Sequence, residues 1–194
     1  MTGHGAWAAR TRHARGVVVA AALALLRRRG LAELSMRNIA AELGVGASAL
    51  YWHFPDKQSL LAAVSDALLA QAPRARGDGP WPERLRREAL LLHGALMASR
   101  DGAELVASSL ALGLGGHALR ARLAEALVDR GGALAAQTVE HLLLGHAMHW
   151  QQRRQAERLG LCETDPRDEA ADFAACLELL IAGLSPQVRA TRPR

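Results

Sequence analysis

Ser35-Met36-Arg37-Asn38-Ile39-Ala40-Ala41-Glu42-Leu43-Gly44-Val45-Gly46-Ala47-Ser48-Ala49-Leu50-Tyr51-Trp52-His53-Phe54-Pro55-Asp56-Lys57 sets the architecture of the chain. It reads as two short helices, about Met36 to Leu43 and Ala47 to His53, joined by Gly44, Val45 and Gly46. Helices of about eight residues do not persist alone, because nucleation costs more than so few hydrogen bonds return. They need a third helix, and the stretch from about Ala9 to Arg29 supplies it. That stretch puts Val18, Ala22, Leu25 and Leu26 on one face at helical spacing, and Ile39, Leu43, Val45 and Leu50 are expected to pack on it. Gly44 permits the tight turn between the pair. Ser35 and Asp56 stand where they can cap the second and fourth helices.

The charge follows the same division. Residues 1–60 carry eight basic side chains (Arg10, Arg12, Arg15, Arg27, Arg28, Arg29, Arg37, Lys57) against Glu33, Glu42 and Asp56, while the remaining residues hold sixteen of each sign. The whole net charge of +5 therefore sits in the first third. A three-helix head with a basic excess is the pattern of a helix-turn-helix that meets duplex DNA.

Outward from this head the 194 residues continue all-α, with few β-branched residues and glycine and proline punctuating the helical runs. Further helices are expected at about Lys57 to Gln71, Glu83 to Ser99, Gly102 to Leu112, Ala118 to Arg130, Ala133 to Arg158 and Pro166 to Leu184. Ala72 to Pro82 reads as a loop. Asp101 with Glu104 forms a capping-box arrangement, and Asp165 before Pro166 reads as another helix start. The ends, 1–8 and 187–194, are expected to fray. Residues 1–56 form the expected reading domain. Residues 57–194 form the effector and dimerisation domain, with 57–71 as the connecting helix.

The apolar run Val17 to Leu26 is too short to span a bilayer, and arginines follow it where a cleavage site would stand. A cytoplasmic chain with no membrane partner is expected. Cys162 and Cys176 form no Cys-x-x-Cys and have no histidine cluster, so neither a disulfide nor a metal is expected of them. Gly113-Leu114-Gly115-Gly116 is too short for a phosphate loop and follows no strand. No nucleophile is paired with a base, so no enzyme and no cofactor are expected.

Ser35 to Ala40, Leu43 to Val45 and Leu50 to Lys57 resemble the amino-terminal domain of the tetracycline-repressor (TetR) family of transcriptional regulators, over about residues 10–65. Downstream, Ser99-Arg100-Asp101-Gly102-Ala103 and Gly145-His146 resemble the regulatory half of the tetracycline-repressor subgroup. The resemblance implies an N-terminal helix-turn-helix domain, a C-terminal helical ligand-binding and dimerisation domain, and a homodimer on a palindromic operator. The implied function is a ligand-responsive regulator, a repressor by the family's habit. A ligand-independent architectural DNA-binding protein is the alternative.

Residue by residue, Arg37 can pair with guanine O6 and N7, and Ser48 can take either base edge. Ala47 and Ala49 can meet thymine methyl groups. Tyr51 and His53 can reach phosphates, Lys57 adds a charge at a helix amino terminus, and Trp52 is expected to divide between packing and backbone contact. An arm carrying Arg10 and Arg12 adds phosphate contacts. The reading helix carries Gly46, Ala47, Ser48 and Ala49 where the family has longer polar side chains, so direct readout is expected to be sparse.

The later helices carry more apolar residues than one core absorbs. Leu134, Val139, Leu142, Leu143, Leu144 and Met148, with Phe173, Leu177, Leu180, Ile181 and Leu184, suit a four-helix bundle across a two-fold axis. Val106 stands where the tetracycline-binding subgroup has a magnesium-ligating histidine, and Glu88 and Leu92 replace its drug-holding amide and aromatic. Magnesium-tetracycline is therefore not the expected effector. A mostly apolar organic molecule is expected against Leu92, Leu96, Val106, Leu110 and Trp150, with His93, His146 and His149 nearby, His146 and His93 orienting a polar group. Two histidines three apart, His146 and His149, lack a third ligand, so no metal is expected there.

Overall fold

A computed structural model describes residues 3–128 and 132–184, with side chains for 15–128 and 133–184. The regular elements among the described residues are all helical: α1 Gly3–Arg29, a 3-10 turn Leu31–Glu33, α2 Met36–Glu42, α3 Ala47–Tyr51, α4 Lys57–Leu69, α5 Trp81–Met97, α6 Gly102–Ala111, α7 His117–Ala126, α8 Gly132–Arg158 and α9 Glu169–Leu184. The all-α class expected from the sequence is the one observed. The arm side chains Arg10 and Arg12, the end 187–194 and residues 129–130 of the helix expected from Ala118 to Arg130 lie outside what is described.

The chain packs as two units, Met1–Ala72 with Ala95–Ala118, and Pro73–Gly94 with Leu119–Arg194. In the first, α1 buries Val18, Ala22, Leu25 and Leu26, the face its spacing selects. It stops at Gly30, whose φ of +87° with ψ 179° is a backbone conformation that glycine adopts and other residues rarely do. Ile39 and Leu50 of the short helices are buried, and Gly44 turns between them at φ +68°. Val45 is 45% exposed instead of facing α1. Its N–H reaches back to Ala40 O at 3.0 Å, so the residue closes the turn with its backbone and its side chain stays outside.

Ser35 Oγ caps α2 by accepting from Asn38 N at 3.1 Å, and Asp56 caps α4 by accepting from Ser59 N at 2.7 Å. The helix α4 packs on both α1 and α6, which is why Leu60, Leu61, Val64, Leu68 and Leu69 are all buried rather than only one stripe. Two glycines set the approach of α4 to its neighbours. A Cβ at Gly102 would sit 2.7 Å from Leu96 O and 3.1 Å from Leu68, and one at Gly115 would sit 2.8 Å from Ala62 O. Gly116 N–H then donates to Asp66 of α4 at 2.7 Å.

The capping box expected at Asp101 does not form. Asp101 adopts a left-handed conformation, φ 55°, and makes no side-chain cap on α6. Its carboxylate instead takes the Leu31 N–H, an orphan donor just past α1. The start expected at Pro166 is also displaced. Asp165 binds Arg167 and Arg153, and Asp168 accepts from Ala170 N and Ala171 N to open α9 at Glu169.

In the second unit α8 packs on α9, burying Val139, Leu143, Ala147 and Trp150 against Phe173, Leu177 and Ile181. Two ion pairs tie other helices to them: Arg86 to Glu178 at 2.5 Å, and Arg120 to the buried Glu140 at 2.7 Å. Leu134 and Leu179 stay 74% and 77% exposed.

Candidate functional site

The exposed side of the α2–α3 pair is assembled by what the pair must hide. Leu50 and Phe54 turn inward, which leaves Ser48, Ala49, Tyr51 and Trp52 outward and Ala47 half-buried. Trp52 is 87% exposed, so it contributes no packing to the core; an indole held in water is a side chain with its whole face available. Gly46 gives α3 no side-chain cap, as expected of a residue without a side chain. Arg37 is exposed in the first turn of α2, and Lys57 is exposed as the first residue of α4. The structure thus places Arg37, Ser48, Ala49, Tyr51, Trp52 and Lys57 in solvent and His53 at its border.

A clamp behind this surface escapes sequence reading. Arg15 of α1 lays its guanidinium 4.1 Å from the Phe54 ring centroid and donates to His53 O at 2.8 Å. It fixes the turn that follows the reading helix, and no spacing rule connects residues so far apart in the chain. Asn38 adds a second strut by donating to Glu33 O at 2.8 Å.

Five residues expected around an effector lie in the second unit. The His93 and His146 ring nitrogens meet at 3.0 Å, Nε2 to Nδ1, and His146 Nε2 reaches Asp172 at 3.3 Å. Trp150 Nε1 donates to the same Asp172 oxygen at 3.3 Å, and Phe173 stacks on His93 with centroids 4.1 Å apart. Leu92 is buried beside them in sequence on α5, and His149 is exposed with its ring 6.4 Å from Trp150. Burial pushes His93 down to about 4, helped by His146 and Arg154, and burial lowers His146 although Asp172 opposes it. Both imidazoles are neutral at pH 7. Burial works against ionisation of Asp172, but hydrogen bonds from Trp150 and His146 and the Arg167 charge outweigh it, so its carboxyl sits below the usual range.

The other three expected residues, Leu96, Val106 and Leu110, belong to the first unit. Leu96 and Val106 are fully buried, and Leu110 packs where a Cβ at Gly116 would fall. Asp172 and Phe173 were not anticipated as the histidines' partners; an acid and an aromatic in the first turn of a helix carry no signal beyond helix capping. Among the described residues no group of three His, Cys, Asp or Glu side chains is placed to hold a metal, and no helix is long and apolar enough to cross a membrane.

Comparison with known proteins agrees with this geometry. Residues 18–64 match the family model described as bacterial regulatory proteins, tetR family. The class G tetracycline repressor protein of Vibrio anguillarum is 32% identical over 197 aligned positions, covering 87% of this chain and 92% of that protein. The structure of BioQ with its double-stranded DNA operator superposes with a TM-score of 0.76 at 35% identity, covering 89% of this chain and 98% of that one. A single-residue variant of TetR from Acinetobacter baumannii AYE, in complex with minocycline, gives a TM-score of 0.69 at 30% identity over 87% of this chain and 94% of the other. With its helix-turn-helix head and all-helical regulatory part, the chain belongs to the TetR family of DNA-binding transcriptional regulators.

Proposed function

We propose that the chain acts as a homodimeric, ligand-responsive repressor, in which residues 1–56 read a palindromic operator and residues 57–194 hold an effector and the dimer contact. The observation that carries this reading is the exposed surface around Trp52, where Arg37, Ser48, Tyr51 and Lys57 stand in solvent while Leu50 and Phe54 hold the helix from beneath. Arg37 reads guanine, Ala47, Ala49 and Ser48 supply short-range contacts, and Tyr51, Trp52, His53 and Lys57 grip the backbone. Likeness to BioQ bound to its operator supports the same placement.

The exposed Leu134 and Leu179 on α8 and α9 support a two-fold bundle that covers them. The effector belongs with Leu92, His93, His146, His149 and Trp150 in the second unit. On this reading it is not magnesium-tetracycline, because Val106 stands where the tetracycline-binding subgroup has its magnesium-ligating histidine and an alkyl side chain offers no ligand to a cation. Control of DNA affinity runs through α4, which α6 and the Asp66–Gly116 bond hold in place. A ligand that prefers another position of α4 shifts the two reading helices off the roughly 34 Å groove repeat.

Footprinting on the DNA flanking the protein's own gene, repeated with candidate organic effectors, tests this. A protected palindrome that opens with one of them is the expected result. Protection indifferent to every effector would leave an architectural DNA-binding protein instead.

A further inference from the structure

Along α4 the approach to α6 is uneven. Glycine lets the helices close up at Gly102, where a Cβ would stand 3.1 Å from Leu68, and the loop after α6 comes closer still at Gly115, where one would stand 2.8 Å from Ala62 O. At the first turn of α4 the two part. A groove of about 440 Å³ opens there within the first unit, inside the roughly 300 to 1,000 Å³ that small-molecule sites occupy.

Its lining divides by chemistry. Leu61 and Leu105 are the buried apolar part, joined by Leu31 of the 3-10 turn and by Leu112, which is 55% exposed. The polar groups are Lys57 and Gln58 on the first turn of α4 and two serines of α6. Ser109 Oγ donates to Leu105 O at 2.9 Å, which leaves its own lone pairs unused. The side chains of Lys57, Gln58 and Ser108 have no partner among the described residues. No acid lines the groove. The carboxylates nearest in sequence are engaged elsewhere: Asp56 accepts Ser59 N at 2.7 Å, Asp101 accepts Leu31 N at 2.8 Å, and Glu33 accepts Asn38 Nδ2 at 3.3 Å. Glu104, one turn before Ser108, is not among the lining residues.

Lys57 is exposed, and solvent screening makes it a weak anchor by itself. Affinity has to come from hydrocarbon removed from water against the leucines, and the ammonium decides which head group the hydrocarbon carries. A neutral head leaves the cation unused, a cationic head is repelled, and a polyanion finds a single positive charge. A carboxylate carries one charge and accepts from ammonium, amide and hydroxyl together. An apolar tail with a carboxylate head therefore matches both halves of the lining.

We propose that this groove binds a medium-chain carboxylate, its hydrocarbon against Leu61 and Leu105 and its head beside Lys57, and that the bound acid competes with DNA phosphate for that ammonium; the competition rests on the DNA-binding role proposed above for Lys57. The site shares no residue with the set around His93 and His146. The full-length protein is titrated by calorimetry with octanoate, octanol, octylammonium and acetate at constant ionic strength, and its binding to a random duplex is followed in parallel. Octanoate is expected to bind at least about tenfold more tightly than each of the others. Ala111→Trp, which fills the groove from an exposed position on α6, is expected to weaken octanoate at least about tenfold, and Lys57→Gln to bring it down to the level of octanol. Circular dichroism confirms that the variants fold, and Leu112→Gln at a second exposed lining position removes apolar contact independently. By reciprocity, octanoate and duplex weaken each other by the same factor.

Octanol binding as tightly as octanoate overturns the proposal, as does octanoate binding that is absent, or unchanged in both Ala111→Trp and Leu112→Gln. Binding lost in His93→Leu and kept in Ala111→Trp places the acid with the histidines, which overturns this site and upholds the effector reading. Duplex affinity unmoved by saturating octanoate overturns the competition. A chain that binds no duplex with or without the acid removes the DNA reading instead, and the groove is then decided by calorimetry alone.

Discussion

Asp101 Oδ2 accepts the backbone N–H of Leu31 at 2.8 Å, so the residue that precedes α6 serves the end of α1 instead of its own helix. The contact is tight enough that a Cβ at Gly30 would stand 2.5 Å from the same oxygen. It joins the reading head to the α5–α6 corner within one packed unit, next to the Arg27 contacts with Ser99 and Gln71.

Asp101→Ala removes that acceptor and leaves a β-carbon residue at φ 55°, where Asn and Asp are tolerated best. It is expected to cost about 2 to 3 kcal/mol in urea unfolding, and Asp101→Asn less than about half of that. Equal losses for the two variants would mean that the Leu31 bond is not what the residue contributes.

Gly102→Ala tests the packing of the same corner. The position has no positive φ, so the only penalty is space: the new Cβ meets a backbone oxygen at 2.7 Å, which has no flexible end to give way. A loss of about 1 to 3 kcal/mol is expected by thermal unfolding, against a gain of several tenths at an open helical glycine such as Gly94.

On DNA, Arg37→Ala is expected to cost about 1 to 3 kcal/mol and to relax preference at one base pair of each half-site. Lys57→Ala should weaken operator and random duplex alike and reduce the salt slope by about one. Anisotropy titrations on both duplexes separate the two behaviours; an equal loss on random DNA for the arginine variant contradicts base contact.

The His93 site gives stability a pH dependence of known sign. Its folded value, about 4, lies below the unfolded one, so the unfolded chain binds the extra proton between these limits. The contribution is complete above about pH 6.5 and is lost as pH falls toward 4, up to about 3 kcal/mol. Asp172, its carboxyl held below the usual range, adds to the loss only at lower pH, as pH falls through its own range. Urea midpoints from pH 7 to 4 should fall steeply in the native chain and less in His93→Leu; parallel slopes would remove His93 from the explanation.

Much of the head was legible because local rules and packing agree there. Ser35 and Asp56 cap as their positions imply, Gly44 takes the positive φ that the turn requires, and the α1 stripe is buried where its spacing puts it. What escaped involves long-range pairing. The capping box at Asp101 failed because the Leu31 donor, distant in sequence, competes for the same carboxylate. Val45 reads as a core residue by its hydrophobicity, but its place in the turn is fixed by backbone bonds. Arg122 is a helical arginine like its neighbours until the fold brings Glu88 and the Pro73 carbonyl to it. The histidines were singled out without their partners, since the aromatic stack on Phe173 and the Asp172 acceptor come from another helix.

Sedimentation of the chain with a duplex bearing its operator, against a scrambled duplex of equal length at moderate salt, bears most directly on the central point. Two protomers per operator duplex, with scrambled DNA bound at least about a thousandfold more weakly, is the expected outcome. A single protomer per duplex, or equal affinity for both DNAs, would contradict a paired reader of DNA.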